Sequence, residues 1–568
     1  MKGLEIATIK SWIQDTLQIE HDFVLEYPVD MSHGDLATNV ALIQSKQIGK
    51  NPKEVASDFV KKLEVNQLEG IVGIEIAGPG FINFRLSPQV FADHVFSVNA
   101  GESGIIKNEN LTPKNVIIEY TDPNPFKEFH IGHLMSNSIG EALSRIIEAE
   151  GAHVVRVSYG GDVGLHVAKA IFGVLSQKDE IEKIKTSDTK QQLKFWAGAY
   201  VYGSAQYEEN EEAKKEIDTL NRTIFDKSDT AVQDLYEWGR RVSIEHFQNM
   251  FARLGTEFSR NYWESEVVSE GLKTVEEGLE KGVFEKSEGA VIFQGEKYSL
   301  HTRVFVNSKG VPTYEAKELG LGVKKIEDFH FDQSIVITGN EQNDYFKVLL
   351  CAMNMLRPEV SGKTTHIGHG MLRFAEGKMS SRKGNVITAE NLIDEVKNLV
   401  LQKMADRDMT LEVKNIVAEQ VAVGAVKYSI LKQSPGKDII FDFEKSLSFE
   451  GDSGPYLQYA TVRAQSVLKK VPEVSVTKTV PEEWQTTDLE RLLFQFGNVI
   501  ARAGADYSPQ HVATYLVRLA SEFNSFYASH KIIDDTPESP YKITLTHTFA
   551  QVMKTGLNLL GIAVPDQM

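Results

Sequence analysis

The chain has 568 residues, 42% of them hydrophobic and 25% charged, with a formal net charge of −18 and a single cysteine. This is ordinary globular composition at a length that implies several domains. No apolar run approaches the ~18 residues of a membrane span, a lone cysteine excludes an internal disulfide, and an acidic surface still leaves room for a local basic groove that binds nucleic acid in a salt-sensitive way.

The start, Met1-Lys2-Gly3-Leu4-Glu5, carries no secretory pattern, so a reducing, cytoplasmic setting is expected. Residues 1–108 have a mixed pattern that ends in Gly78-Pro79-Gly80-Phe81 and the strand-like Ile82–Leu86, followed by a polar linker over 101–114. Asn115–Tyr120 is a short apolar run with β-branched residues and reads as a buried strand. Thr121-Asp122-Pro123-Asn124-Pro125 then breaks the chain, because each proline biases the residue before it away from helix.

His130-Ile131-Gly132-His133 opens the next element. Beyond it Leu134, Ile139, Leu143, Ile146 and Ile147 fall near helical spacing and stop at Gly151, and His153–Tyr159 returns as a second strand. The result is a β-α-β unit with two histidines in the first turn of its helix. Free backbone N–H groups and the helix dipole favour an anion there. His130 and His133 are three apart and share a face, and Gly132 between them would let a nucleotide approach the backbone. A His-x-x-His pair can also be a metal fragment. Zinc would need two further ligands, and Cys351 has no cysteine partner, so no metal site is expected.

The stretch from about 176 to 250 is polar and helix-forming and reads as an insertion. A second copy, His366-Ile367-Gly368-His369, lies in an alternating segment without a helix start and reads as a strand that only imitates the first site. Gly377-Lys378-Met379-Ser380-Ser381-Arg382-Lys383-Gly384 sets three cations and two hydroxyls between glycines, as suits a loop that closes over phosphates. Two imidazoles on one side and this basic loop on the other fit attack of a carboxylate on the α-phosphate of ATP, whose anionic transition state needs donors and cations fixed in advance. After about 396 helices dominate. Ser508-Pro509 has the makings of an N-cap and first turn, leading an apolar face of Val512, Leu516, Leu519, Phe523, Phe526 and Tyr527. Exposed members of Tyr456, Tyr459 and Phe526 could stack on bases.

The two motifs resemble the hallmarks of class I aminoacyl-tRNA synthetases, with Lys378–Arg382 departing from the common lysine-methionine-serine-lysine-serine form. The finer resemblance is to arginyl-tRNA synthetases. It is carried by Glu119-Tyr120-Thr121-Asp122-Pro123-Asn124, Thr313–Leu319, Glu341-Gln342, Ser453–Ala460 and the ending Leu559–Ile562. His33–Asn39 and Gly78–Phe84 are similar to that family's additional N-terminal domain.

The resemblance implies a multidomain α/β chain. A doubly wound parallel-sheet (Rossmann-like) catalytic domain over 112–395 would be flanked by an α+β N-terminal tRNA-binding domain over 1–108 and an all-α anticodon-binding domain over 396–568. The reaction implied is ATP, L-arginine and tRNA(Arg) giving arginyl-tRNA, AMP and pyrophosphate, in a monomer, with Mg²⁺ arriving on ATP rather than in a protein cage. His130, His133, Lys378, Ser380, Ser381 and Arg382 would be catalytic. Lys127, Gly132, Met379 and Lys383 would join them around ATP. Glu119 and Asn124 would meet the α-amino and carboxylate end of arginine, Tyr314 and Gln342 would line the pocket, and Glu318, where aspartate is usual, would face the guanidinium. Gly161-Asp162-Val163-Gly164, with valine where tryptophan is common, is given a supporting part. Activation would depend on bound tRNA. An acidic pocket argues against a glutamate- or glutamine-charging relative. A small-molecule nucleotidyltransferase would not need the helical C-terminal region, and a non-catalytic tRNA-binding paralogue should have lost one motif.

Overall fold

The structure, a computed structural model, describes residues 6–28, 30–101, 108–374, 388–471 and 477–568. Lys378, Met379, Ser380, Ser381, Arg382 and Lys383 lie outside the described residues.

A five-stranded, all-parallel sheet organises the middle of the chain. Its strands are β1 (Asn115–Glu119), β2 (His153–Gly160), β3 (Arg260–Trp263), β4 (Gln333–Gly339) and β5 (Thr364–His369). Their spatial order is β5-β4-β1-β2-β3, the doubly wound arrangement in which the chain reverses direction between β1 and β4. In such sheets a ligand crevice opens at that reversal, at the carboxyl ends of the strands. Alternation along β1 and β2 decides the two faces. Val116, Ile118 and Val154 enter one hydrophobic core; Ile117, Val155, Val157 and Tyr159 enter another. Two helices matter most for the site. Helix α1 (Ile131–Ala149) crosses from β1 to β2, and α2 (Tyr314–Phe329) covers the opposite face.

The polar stretch from about 176 to 250 is helical, as Thr189–Glu209, Glu211–Asp226 and Thr230–Leu254, and these pack with the preceding helix Leu165–Leu175 around Val167, Ile171, Trp196, Ile217 and Val242. Asp188, Asn210 and Asp229 cap three of them through their side chains. Before the sheet, residues 6–86 form a four-stranded antiparallel sheet with helices. Their core of Ile9, Ile13, Phe59, Leu63 and Phe84 also takes in Phe494 from the C-terminal region, and Arg491 bonds Asp35 at 2.9 Å.

Among the described residues the C-terminal region has one strand between its helices, Ile439–Phe441, which pairs in parallel with Leu372–Phe374. The helix Ala389–Lys403 runs through residue 396. One expectation fails locally: the helix Gln510–Ser529 begins after Pro509, and Ser508 makes no side-chain cap. A single core joins Leu134, Leu143 and Ile146 of α1 to Leu545, Phe549, Leu557 and Ile562 at the end of the chain.

Candidate active site

A cavity of about 470 Å³ opens where β1 and β4 diverge. Thr121, Asp122, Asn124, His130, Gly132, His133, Thr338, Gly339, Glu341, Gln342 and His369 all border it. Its wall after β1 is strained: Thr121, Asp122 and Phe126 have φ values of 79°, 48° and 68°. Such conformations persist only when surroundings over-determine them, and here they do. Ser136 on α1 accepts from Thr121 N at 2.9 Å and donates to Ile337 O at 2.9 Å, while Asn137 donates to Thr121 Oγ1 at 3.0 Å. Asp122 Oδ1 accepts from Tyr159 N, and Asn124 Oδ1 accepts from Gly161 N, both at 2.8 Å.

The two histidines form the cap of α1 themselves. His130 Nδ1 accepts from Gly132 N at 3.1 Å, and His133 Nδ1 accepts from the His130 N–H at 3.2 Å, a reciprocal capping box built from imidazoles. The rings stack with centroids 3.6 Å apart. A ring nitrogen that accepts an N–H carries no proton, so each neutral imidazole must hold its proton on Nε2. Burial, helped by Lys127, lowers the His130 pKa; burial and the His130 ring hold His133 well below the usual range. The pair therefore offers two neutral, fixed N–H donors. Gly132 also serves an end the sequence does not suggest: a Cβ there would lie 2.9 Å from His130 Cε1, so its bare Cα admits the capping ring.

Behind Asp122, between the sheet and α2, lies a cluster of buried charge. Glu119 Oε2 accepts from Lys325 Nζ at 2.7 Å, with both side chains at most 5% exposed. Lys317 pairs with Glu264. Glu318, two turns before Glu119's partner on the same helix face, makes no hydrogen bond among the described residues. Burial and the neighbouring Glu119 charge push its carboxyl up to about 8, and the same two causes raise Asp122 well above the carboxylate range. Four acids thus face two lysines. A pocket with excess acid, in which Glu318 and Asp122 hold their protons more tightly than free carboxyls, is matched to an incoming cation.

The sequence-derived residues fall into place unevenly. Asn124, His130, Gly132, His133 and Gln342 border the cavity, and Glu119 and Glu318 stand in the acidic cluster. Tyr314 is 62% exposed at the start of α2, with Lys317 Nζ 4.5 Å from its ring centre. Lys127 stands close enough to depress both histidines and lies 5.6 Å from the Tyr200 ring centre. Thr388, the first described residue after the basic loop, bridges back to His130. Asp162 is fully buried and bonded to Tyr236, Arg240 and Ser265, a structural hub. The second histidine copy is a strand, as read; His366 bonds Thr338 at 2.8 Å and stacks on Phe346. His369, however, reaches the cavity, which its residue type alone did not reveal. Phe526 is buried and drops out as a base-stacking group; Tyr459 and Tyr527 instead flank Arg463, at 5.0 and 5.5 Å.

The sequence matches the family of class I tRNA synthetases (R), catalytic domain, over residues 99–443, which holds the whole cavity. It is 32% identical to the arginine–tRNA ligase of Limosilactobacillus reuteri over 553 residues, 96% of this chain and 95% of that one. The chain belongs to the arginine–tRNA ligase family of class I tRNA synthetases. The arginine–tRNA ligase of Streptococcus suis is 31% identical over 576 residues, 99% of each chain. Residues 6–86 match the arginyl tRNA synthetase N terminal domain, and 457–568 the DALR anticodon binding domain. The arginyl-tRNA synthetase of Thermus thermophilus shares the fold, with a TM-score of 0.81 and 21% identity over 100% of both chains. As expected for a class I synthetase, ATP is a substrate.

Proposed function

We infer that this chain activates L-arginine with ATP and transfers the arginyl group to tRNA(Arg), releasing pyrophosphate and AMP. The observation that carries this reading is the buried Glu318 carboxyl, without a hydrogen bond among the described residues, in a cluster of acids that reaches the cavity of the two fixed imidazole donors through Asp122. Guanidinium is planar, permanently charged and best met by carboxylates. Arginine would lie with its side chain towards Glu318 and its α-amino and carboxylate end by Asn124 and Gln342, while Tyr314 closes the entrance. Glu119, already held by Lys325, would shape the charge of the pocket as well as meet the substrate.

With the carboxylate set against the α-phosphate of ATP, attack forms the acyl–phosphate bond as the bond to pyrophosphate breaks. Charge builds on the phosphate oxygens. The Nε2–H groups of His130 and His133 would donate to them without reorganising, because their Nδ1 atoms are already engaged. Lys127 adds a cation. Lys378, Ser380, Ser381, Arg382 and Lys383 would supply the rest, with Met379 and Gly132 against the nucleotide, and Mg²⁺ would enter with ATP. Anticodon binding by the helical region and outer contacts by residues 1–108 complete the division into 1–108, 112–395 and 396–568. A cytoplasmic monomer is the accompanying proposal, open to light scattering and fractionation; no helix among the described residues is long and apolar enough to cross a membrane.

Pyrophosphate exchange and tRNA charging across a panel of amino acids test the reading. Arginine alone should support both. Equal exchange with lysine or glutamine would remove the argument from the acidic pocket.

A further inference from the structure

Tyr159 and Tyr345 are buried, 9% and 7% exposed, yet their hydroxyls have no hydrogen-bond partner among the described residues. They stand apart from other buried tyrosines. Tyr120 donates to Glu141 at 2.6 Å, Tyr262 to Asp328 at 3.0 Å, Tyr236 to Asp162 at 3.1 Å and Tyr515 to Leu492 O at 2.9 Å. Burying a hydroxyl without a partner costs free energy, so an orphan of this kind calls for an explanation.

Their placement supplies one. Tyr159 follows Val155 and Val157 on the face of β2 that α2 covers, and Ile117 and Glu119 point to the same face from β1. Tyr345 stands in the first turn of the helix Asn343–Leu356, just after Gln342, and its ring joins the same core. Both hydroxyls feel the Glu318 and Glu264 charges, which add to burial in raising their pKa values well above the ordinary phenol. Glu318 is itself without a hydrogen bond among the described residues. Three polar groups without partners there therefore share the core layer between the sheet and α2.

We propose that the Tyr159 and Tyr345 hydroxyls are specificity-determining groups of the arginine pocket, completing with Glu318 the hydrogen-bond set of the substrate's guanidinium. This rests on the reading of the Glu318 pocket given above. A guanidinium has five N–H donors, more than one carboxylate can accept. A phenol can accept one of them while its own O–H turns to the Glu318 carboxylate, which a phenylalanine cannot do. A ligand lacking those donors would leave both hydroxyls as they are in the empty pocket, and sites built this way discriminate strongly.

The test uses the full-length enzyme with Tyr159→Phe, Tyr345→Phe and the double variant, which keep the rings and remove only the hydroxyls. The reference is Glu318→Gln. Pyrophosphate exchange with tRNA present should show KM for arginine raised roughly tenfold or more by each substitution, with KM for ATP within about twofold. Thermal unfolding gives a second readout. Without arginine the variants should melt at or above the parent temperature, because an uncompensated polar group has gone; with arginine they should gain less. Unchanged KM for arginine and an unchanged arginine-induced shift would overturn the proposal while Glu318→Gln still weakens binding. If Glu318→Gln also leaves arginine binding intact, the pocket reading fails first and takes this one with it.

Discussion

At the scale of single residues, the site is defined by which atoms are already engaged. His130 and His133 spend Nδ1 on backbone N–H groups, so Nε2–H is what remains for phosphate. His130→Ala should lower the activation rate by 10²–10³, roughly 2.7–4 kcal/mol, with a smaller effect on arginine affinity. His366→Ala, whose ring is occupied by Thr338 and Phe346, should leave the rate nearly intact; equal losses in folded proteins would move the working site. Glu318 sets a pH dependence. Its carboxyl is pushed up to about 8 in the empty pocket, so below that pH it is protonated and must lose the proton to meet a guanidinium. Arginine affinity should therefore strengthen from about pH 6 to 8 and then level off, by up to about tenfold per unit for one proton. Calorimetry in buffers of differing ionisation enthalpy should show proton release on binding at pH 7. The sign for folding is opposite: a raised carboxyl binds its proton more tightly in the native state, so the ligand-free protein loses stability as pH climbs from about 4.5 through 8.

At the scale of elements, the β-α-β unit was legible because its signals are local. Ile117 and Ile118 alternate between two cores, α1 has a helical apolar stripe, and Gly151, at φ 94°, follows its end. What escaped the sequence depends on three-dimensional neighbours. Nothing in the residue pattern says that Lys325 will neutralise Glu119, that His369 will reach the cavity, or that two tyrosine hydroxyls will be left without partners. Gly132 is the instructive middle case, recognised for its missing side chain, while its second use, room for the capping ring, depends on a neighbour's rotamer. Gly132→Ala tests the difference. Alanine normally improves a helix, yet here its Cβ must displace the His130 ring, losing a cap worth about 1 kcal/mol. Activation should fall nearly as far as in His130→Ala, and the melting temperature should not rise. A stabilised variant of full activity would show that the ring is free to cap elsewhere.

At the scale of the whole molecule, a polar chain links the C-terminal region to the pocket. Arg145 donates to Asn558 O and Oδ1 at 2.9 and 2.7 Å and to Glu141 at 2.7 Å, and Glu141 accepts from Tyr120, next to Glu119. Lys427, fully buried, donates to Leu254 O and Gly561 O at 2.6 and 3.0 Å. The C-terminal helical region is thus hydrogen-bonded to the strand that ends at Glu119. Exchange of pyrophosphate should need tRNA, and a nuclease-treated preparation should show little; full arginine-dependent exchange without RNA would break that coupling while leaving the enzyme assignment standing. A fragment ending at 395 is severed within the helix Ala389–Lys403 and loses the strand partner of Leu372–Phe374. It should fail to fold, visible as dye binding and lost cooperativity, rather than persist as a weak enzyme.

The shared core has a consequence for the order in which the molecule is made. Leu134, Leu143 and Ile146, on the helix that carries both histidines, pack in one cluster with Leu545, Phe549, Leu557 and Ile562. Synthesis delivers the histidines early and their support last. Until Ser539–Leu559 has been made that helix lacks its cover, so the centre for adenylate chemistry closes only once that segment has left the ribosome. Nascent chains arrested before Ser539 should be cut by protease near α1, and completed chains should resist. An unfinished copy of this enzyme would then be unable to spend ATP.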